Sequence, residues 1–190
     1  MTPNEKRLDH LARTCGPRVL TYLARRATPA GDAADVYQQV LVTTWTKIAR
    51  VPGDEEAALC WMLAVARRHL ANHSRGRLRR LESTARLAES LRTGPGQAPA
   101  EADHGSNRVL KALQALSDDD RELVQLVYWD DLSTEQAATV LNIRPATARK
   151  RLERCRTQLK ATLETPGPAP SEPLEPTTRV ADDHAPATAH

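Results

Sequence analysis

Between Leu132 and Leu152 the chain is confined to essentially one arrangement, two short helices joined by a tight turn. Ser133 is placed to cap the first helix, and Gln136, three residues on, can reach back to complete a capping box. Small Ala138 lets a second helix cross closely, and Asn142 tolerates the left-handed conformation that ends the first one. Pro145 suits the first turn of the next helix, where a missing N–H costs nothing. Val140, Leu141, Ile143, Ala148 and Leu152 supply the apolar side that holds the pair together. The result is a helix-turn-helix whose second helix is densely basic and is expected to lie in a major groove.

The rest of the chain fits around that motif. At 190 residues there is room for two small domains, and the net charge of +3 matters less than its distribution. Arg67, Arg68, Arg75, Arg77, Arg79 and Arg80 form one block without an acid, and Arg144 to Lys160 holds seven basic residues against one Glu. Two such blocks suggest two phosphate-facing surfaces rather than two solvated helix faces. No apolar run is long enough to span a bilayer, and Met1 to Arg7 has no apolar signal core, so a cytoplasmic protein is expected. Cys15, Cys60 and Cys155 are odd in number and widely spaced, which reads as reduced thiols without an assigned role.

Helical spacing runs through Leu8, Leu11, Cys15, Val19 and Leu23, with Gly16-Pro17 expected to break that segment in two. Val36, Tyr37, Val40, Leu41, Thr44, Trp45 and Ile48 then define a broad apolar stripe, leaving Asp35, Gln38, Gln39, Thr43 and Thr46 outside. A third helix follows the loop from Arg50 to Glu56, with Leu59, Met62, Leu63, Ala66 and Leu70 facing inward. Residues 82–107 lose periodicity around Gly94-Pro95-Gly96, the chemistry of a flexible linker. Ser117 followed by Asp118, Asp119 and Asp120 marks another helix start. Beyond Glu164 six prolines and mostly acidic charge describe a disordered tail. The fold class is therefore all-α, with domains at 1–81 and 108–164 joined by the linker, the second carrying the helix-turn-helix, and a tail at 165–190.

Three segments in order carry a family resemblance: Asp32-Ala33-Ala34-Asp35-Val36-Tyr37-Gln38-Gln39-Val40, Trp61-Met62-Leu63-Ala64-Val65-Ala66-Arg67, and Leu116 to Arg156. Together they resemble bacterial RNA polymerase sigma factors of the extracytoplasmic-function group. The chain departs from that group's pattern at Gln39, Arg68, Ala137 and Arg144-Pro145, and it has no Phe.

The resemblance implies a role for each matching position. Asp35, Gln38 and Gln39 would meet the clamp helices of the polymerase β′ subunit. The loop from Pro52 through Gly53, Asp54 and Glu55 to Ala57 would capture a flipped base of the minus-ten element, which requires single-stranded DNA. Arg67, Arg68, Asn72 and Arg75 would track the phosphates there. In the last helix Arg149, Lys150, Glu153 and Arg154 would face the bases of the minus-thirty-five element, with Arg pairing guanine and Glu accepting from cytosine. Thr147 and Arg151 would hold phosphates, and Arg144 belongs to the same surface. The C-terminal domain would rest on the β flap, and an anti-sigma factor or contact between the domains would hide the DNA surfaces of the free protein.

The alternative is a stand-alone helix-turn-helix regulator that binds duplex DNA without polymerase. An enzyme is not expected, because no nucleophile elbow, phosphate-cradling glycine loop or paired-carboxylate arrangement is present. His69 and His73 share a helix face at i, i+4, but Leu70 stands where the metalloprotease pattern needs Glu, so neither metal nor cofactor is expected.

Overall fold

The computed structural model describes residues 1–89 and 104–164, and all of its regular structure is helical. Five elements build the N-terminal unit: α1 (Pro3–Thr14), α2 (Gly16–Arg26), α3 (Asp32–Thr46), a 3₁₀ turn (Ile48–Arg50) and the long α4 (Glu55–Glu89). Four build the C-terminal unit: α5 (His104–Gln114), α6 (Asp118–Tyr128), α7 (Thr134–Leu141) and α8 (Pro145–Glu164). Helix thus reaches into the expected linker from both ends, and the remainder of 82–107, like the tail at 165–190, lies outside the described residues.

Local chemistry sets the ends of these elements. Thr2 and Glu5 form a capping box on α1, and the chain turns at Cys15 so that Gly16-Pro17 opens α2. Ser117 caps α6 through the Asp120 N–H, and Ser133 and Gln136 form the expected capping box on α7. Asn142 ends α7 in the left-handed region at φ 55°. Arg121 donates to the carbonyls of Leu113 (2.9 Å), Gln114 (3.2 Å) and Leu116 (3.0 Å), so one guanidinium satisfies the end of α5.

In the N-terminal core, Val19, Tyr22 and Leu23 of α2 meet Val36 and Val40 of α3 and Met62, Leu63 and Ala66 of α4. Leu123, Leu126, Val140, Ala148 and Leu152 fill the C-terminal unit and belong to the same continuous cluster of buried side chains, with α4 packing on α7. The α3 stripe differs from the expected one at Trp45, which is 41% exposed. Buried positions at Val36, Val40 and Thr44 recur every four residues, and the next residue is rotated about 100° away from them. Cys15, Cys60 and Cys155 are buried free thiols, and burial raises the pKa of each.

Close packing explains the glycine that opens α2. A Cβ at Gly16 would run into the hydroxyl oxygen of Tyr37 on α3. Gly16→Ala should therefore destabilise the N-terminal unit by about 1–3 kcal/mol through overpacking. Adding Tyr37→Phe, which removes that oxygen, should recover most of the loss in urea unfolding.

Candidate nucleic-acid interface

Asp35, Gln38 and Gln39 all lie exposed on the outer side of α3. Their placement follows from the helix period, since Val36 and Val40 alternate with them and are fully buried. Asp35, Gln38 and Gln39 make this part of the face polar.

The loop before α4 is held by its backbone while its side chains remain exposed. Arg7 of α1 donates to the carbonyls of Val51 (2.6 Å) and Pro52 (3.0 Å). Asp54 accepts from the Ala57 N–H at 2.8 Å, capping α4. Gly53, Asp54 and Glu55 are exposed and Pro52 is half-buried, which gives a rim with outward polar groups. Sequence reasoning missed Arg7, because a contact over 44 residues to a carbonyl leaves no trace in a local pattern.

One side of that loop is already walled. A cleft of about 420 Å³ runs between Pro52, Asp54, Cys60 and Trp61 of the N-terminal unit and Glu135, Gln136 and Thr139 of α7. The Gln136 side-chain amide donates to Glu56 at 3.1 Å across it.

The four residues expected to track phosphates on α4 divide between two faces. Arg68 and Asn72 border a hollow of about 520 Å³ together with Thr43, Lys47, Arg50, Trp61 and His69. Arg75 bonds along the helix to the Asn72 side chain at 2.8 Å. Arg67, one residue round from Arg68, turns instead to Asp119 of α6 at 3.0 Å. Lys47 and Arg50 were not singled out from the sequence, and Trp61 only as the start of a family segment; all three line this hollow.

His69 shares a 2.8 Å hydrogen bond with the Thr43 hydroxyl. Burial, then the charges of Arg68 and Lys47, lowers its pKa from the ordinary 6.5. His73 lies 3.7 Å from Asp32. Among the described residues, no group of three or more His, Cys, Asp or Glu is placed to hold a metal ion.

In the helix-turn-helix, Arg144, Thr147, Arg149 and Lys150 are exposed around the first turns of α8. Arg149 approaches Glu135 of α7 at 3.3 Å with both side chains more than half exposed, so this pair is readily exchanged. Arg151 and Arg154 lean towards the head of α6. Arg154 donates to Asp120 at 2.7 Å, and Arg151 lies 4.0 Å from both Asp119 and Asp120. Glu153 is exposed and pairs with Arg156, which also donates to the Tyr128 hydroxyl at 2.7 Å. On the opposite side of this unit, Val109, Leu113, Tyr128, Trp129, Leu159 and Leu163 line an apolar cleft of about 590 Å³.

The described residues thus place a hollow rimmed by cations on the N-terminal side and an exposed basic helix in a helix-turn-helix on the C-terminal side. Comparison with known proteins makes the class specific. Residues 11–80 match the sigma-70 region 2 family model, and residues 106–159 match sigma-70 region 4. The sequence is 28% identical over 145 residues to the ECF RNA polymerase sigma factor SigL of Mycobacterium tuberculosis, covering 75% of this chain and 81% of that one. It is 28% identical over 144 residues to the ECF sigma factor SigK of Mycolicibacterium vanbaalenii, covering 71% and 70%.

Two solved structures share the fold. The sigma factor RpoE of Bartonella quintana, in complex with the anti-sigma factor NepR, aligns with a TM-score of 0.58 at 21% identity, covering 83% of this chain and 96% of that one. CnrH, in complex with the cytosolic domain of CnrY, gives 0.56 at 22%, covering 87% and 92%. The chain belongs to the extracytoplasmic-function group of RNA polymerase sigma factors. Sigma factors are not enzymes, and the chain is not one.

Two outcomes follow from this geometry. The fold favours neutral His69, so its contribution to stability is present above the unfolded-state pKa and is lost as pH falls through the lower folded-state value. His69→Gln should flatten the decline in urea stability between about pH 7 and pH 5. Arg154→Ala should destabilise the C-terminal unit by about 1–2 kcal/mol, because it removes a charged hydrogen bond from the largely buried Asp120. Chemical unfolding of the variant checks this.

Proposed function

We propose that this sigma factor directs promoter-specific initiation by reading minus-thirty-five duplex DNA with α8 while its N-terminal unit docks on polymerase and stabilises melted minus-ten DNA. The observation that carries the proposal is the coexistence of an exposed polar face on α3 with the exposed cations that open α8. A regulator acting without polymerase needs the second of these features alone.

Asp35, Gln38 and Gln39 take the β′ clamp helices. Pro52, Gly53, Asp54 and Glu55 receive a flipped base, and Arg68, Asn72 and Arg75 follow the adjoining phosphates. Arg67 joins them after leaving Asp119. Arg149, Lys150 and Glu153 face the bases of the minus-thirty-five element, while Arg144, Thr147 and Arg151 hold its phosphates. Arg154 reaches the bases only by exchanging Asp120 for DNA. The β flap rests in the apolar cleft beside Tyr128 and Trp129, whose large exposed hydrophobics suit a protein partner.

Among the described residues no helix is long and apolar enough to cross a membrane, and we place the protein in the cytoplasm with its polymerase. An anti-sigma factor is a further proposed partner, supported by the complexes in which the two structural relatives were solved.

Run-off transcription from genomic promoter fragments with bacterial core polymerase tests this reading. Discrete transcripts should require the protein and fall at least about tenfold in Arg149→Ala/Lys150→Ala, a loss corresponding to one good base contact. These two side chains are exposed, so the variant should fold normally. Tight unaided binding to one duplex site, without polymerase-dependent transcripts, would replace the proposal with a stand-alone regulator.

A further inference from the structure

One buried acceptor in the C-terminal unit goes without a hydrogen bond. Asp120 is the third residue of α6, where its N–H donates to the Ser117 hydroxyl oxygen at 3.3 Å and the positive end of the helix favours a negative side chain. The Asp120 side chain is 11% exposed. Its Oδ2 accepts from Arg154 of α8 at 2.7 Å, but its Oδ1, although buried, accepts no hydrogen bond among the described residues. The Nε of Arg151, three residues earlier on α8, stops 4.0 Å from Oδ1, about 1 Å beyond hydrogen-bond reach. Two arginines of the basic helix thus lie beside one carboxylate, and only one of them is bonded to it.

This pairing sets Arg154 apart from its neighbours on α8. Arg149 and Glu135 are both more than half exposed, so water and salt already compete for their contact, and Lys150 is exposed. Arg154 is itself 66% exposed, but its partner is not. Withdrawing Arg154 would leave a desolvated carboxylate with neither oxygen bonded. A phosphate offers Arg154 a solvent-screened contact in exchange, whereas a guanine edge offers two hydrogen bonds in fixed geometry. Only the second exchange offsets the loss, and Arg151 stands ready to move onto the carboxylate. A guanidinium has five N–H donors, so Arg151 can hold Asp120 and a phosphate together.

We infer that Asp120 is a specificity-determining residue for duplex reading: it withholds Arg154 from the phosphates of arbitrary sequence and yields it to a base edge, with Arg151 closing on the carboxylate as Arg154 leaves. The base-reading half of this inference rests on the role proposed above for Arg154, but the withholding does not. The sequence-blind attraction of α8 for DNA is therefore one cation weaker than its composition implies, while its hold on the correct site keeps that cation. Asp120 itself touches no DNA and acts through Arg154.

Binding of the full chain to a mixed-sequence duplex, followed against salt, counts the cations that meet phosphate, because each adds about 0.9 to the slope of log affinity against log salt. Asp120→Asn keeps the shape of the side chain and removes its charge. It should steepen the slope by about 0.9 and raise mixed-sequence affinity about tenfold at about 0.1 M salt, with helix content unchanged by circular dichroism. Asp120→Asn/Arg154→Ala should return the slope to the parent value, as for two members of one interaction. In the parent background Arg154→Ala should change the slope by less than half as much as Lys150→Ala. That comparison leaves Asp120 in place, so it stands even where Asp120→Asn loosens α6.

A parent or shallower slope in folded Asp120→Asn, which is what a purely structural Asp120 gives, would overturn the withholding. Equal slope changes in Arg154→Ala and Lys150→Ala would overturn it as well. In run-off transcription with core polymerase, Arg154→Ala should lower promoter-specific transcripts about tenfold, as expected for one lost base contact. Slopes as expected together with full transcripts from Arg154→Ala would uphold the withholding and overturn the base-reading role of Arg154.

Discussion

Helix α4 has to serve three neighbours at once, and the rest of the structure is arranged around how its turn of about 100° per residue divides them. Ala58, Leu59, Met62, Leu63 and Ala66 fill the N-terminal core and fix the helix relative to α2 and α3. Arg68, His69 and Asn72 face the hollow shared with Lys47 and Arg50. Arg67, one step round, reaches α6 of the other unit. Because the core stripe is immovable without exposing large side chains, the two polar faces are equally fixed, and neighbouring arginines acquire different partners.

Charge pairing sets the state in which these surfaces meet. Most of the acids that matter here lie on α6 or just after it: Asp119, Asp120, Glu122 and Asp130. They engage Arg25, Arg26 and Arg67 from the N-terminal unit and Arg151 and Arg154 from α8. Exposed pairs such as Arg67 with Asp119 are weak. Pairs around Arg26 are desolvated, so losing one partner there costs far more than losing an exposed pair. One helix thereby takes part in both loose, exposed pairs and a desolvated set between the two units.

Local rules made much of the fold legible in advance. The break at Gly16-Pro17, the caps at Ser117 and Ser133, the left-handed Asn142 and the helix start at Pro145 all depend on residues within four positions of each other. The outward face of α3 was equally readable, since one period decides it. Trp45 escaped the same rule because a helical stripe has an edge, and only the packed partner shows where that edge falls. Arg154 could be placed on the basic helix but not at Asp120, which lies 34 residues away.

The sequence by itself determined the break at Gly16-Pro17, the caps at Ser117 and Ser133, the outward face of α3 and the basic helix of the helix-turn-helix, because each follows from short-range periodicity and capping. Tertiary structure alone decided that Arg7 grips the loop backbone, that Arg67 turns away from Arg68, and that Arg26 is buried between Glu122 and Asp130. Those contacts join residues separated by 44 to 104 positions. Their energy depends on desolvation and exact distance, two quantities that exist only once the units have packed.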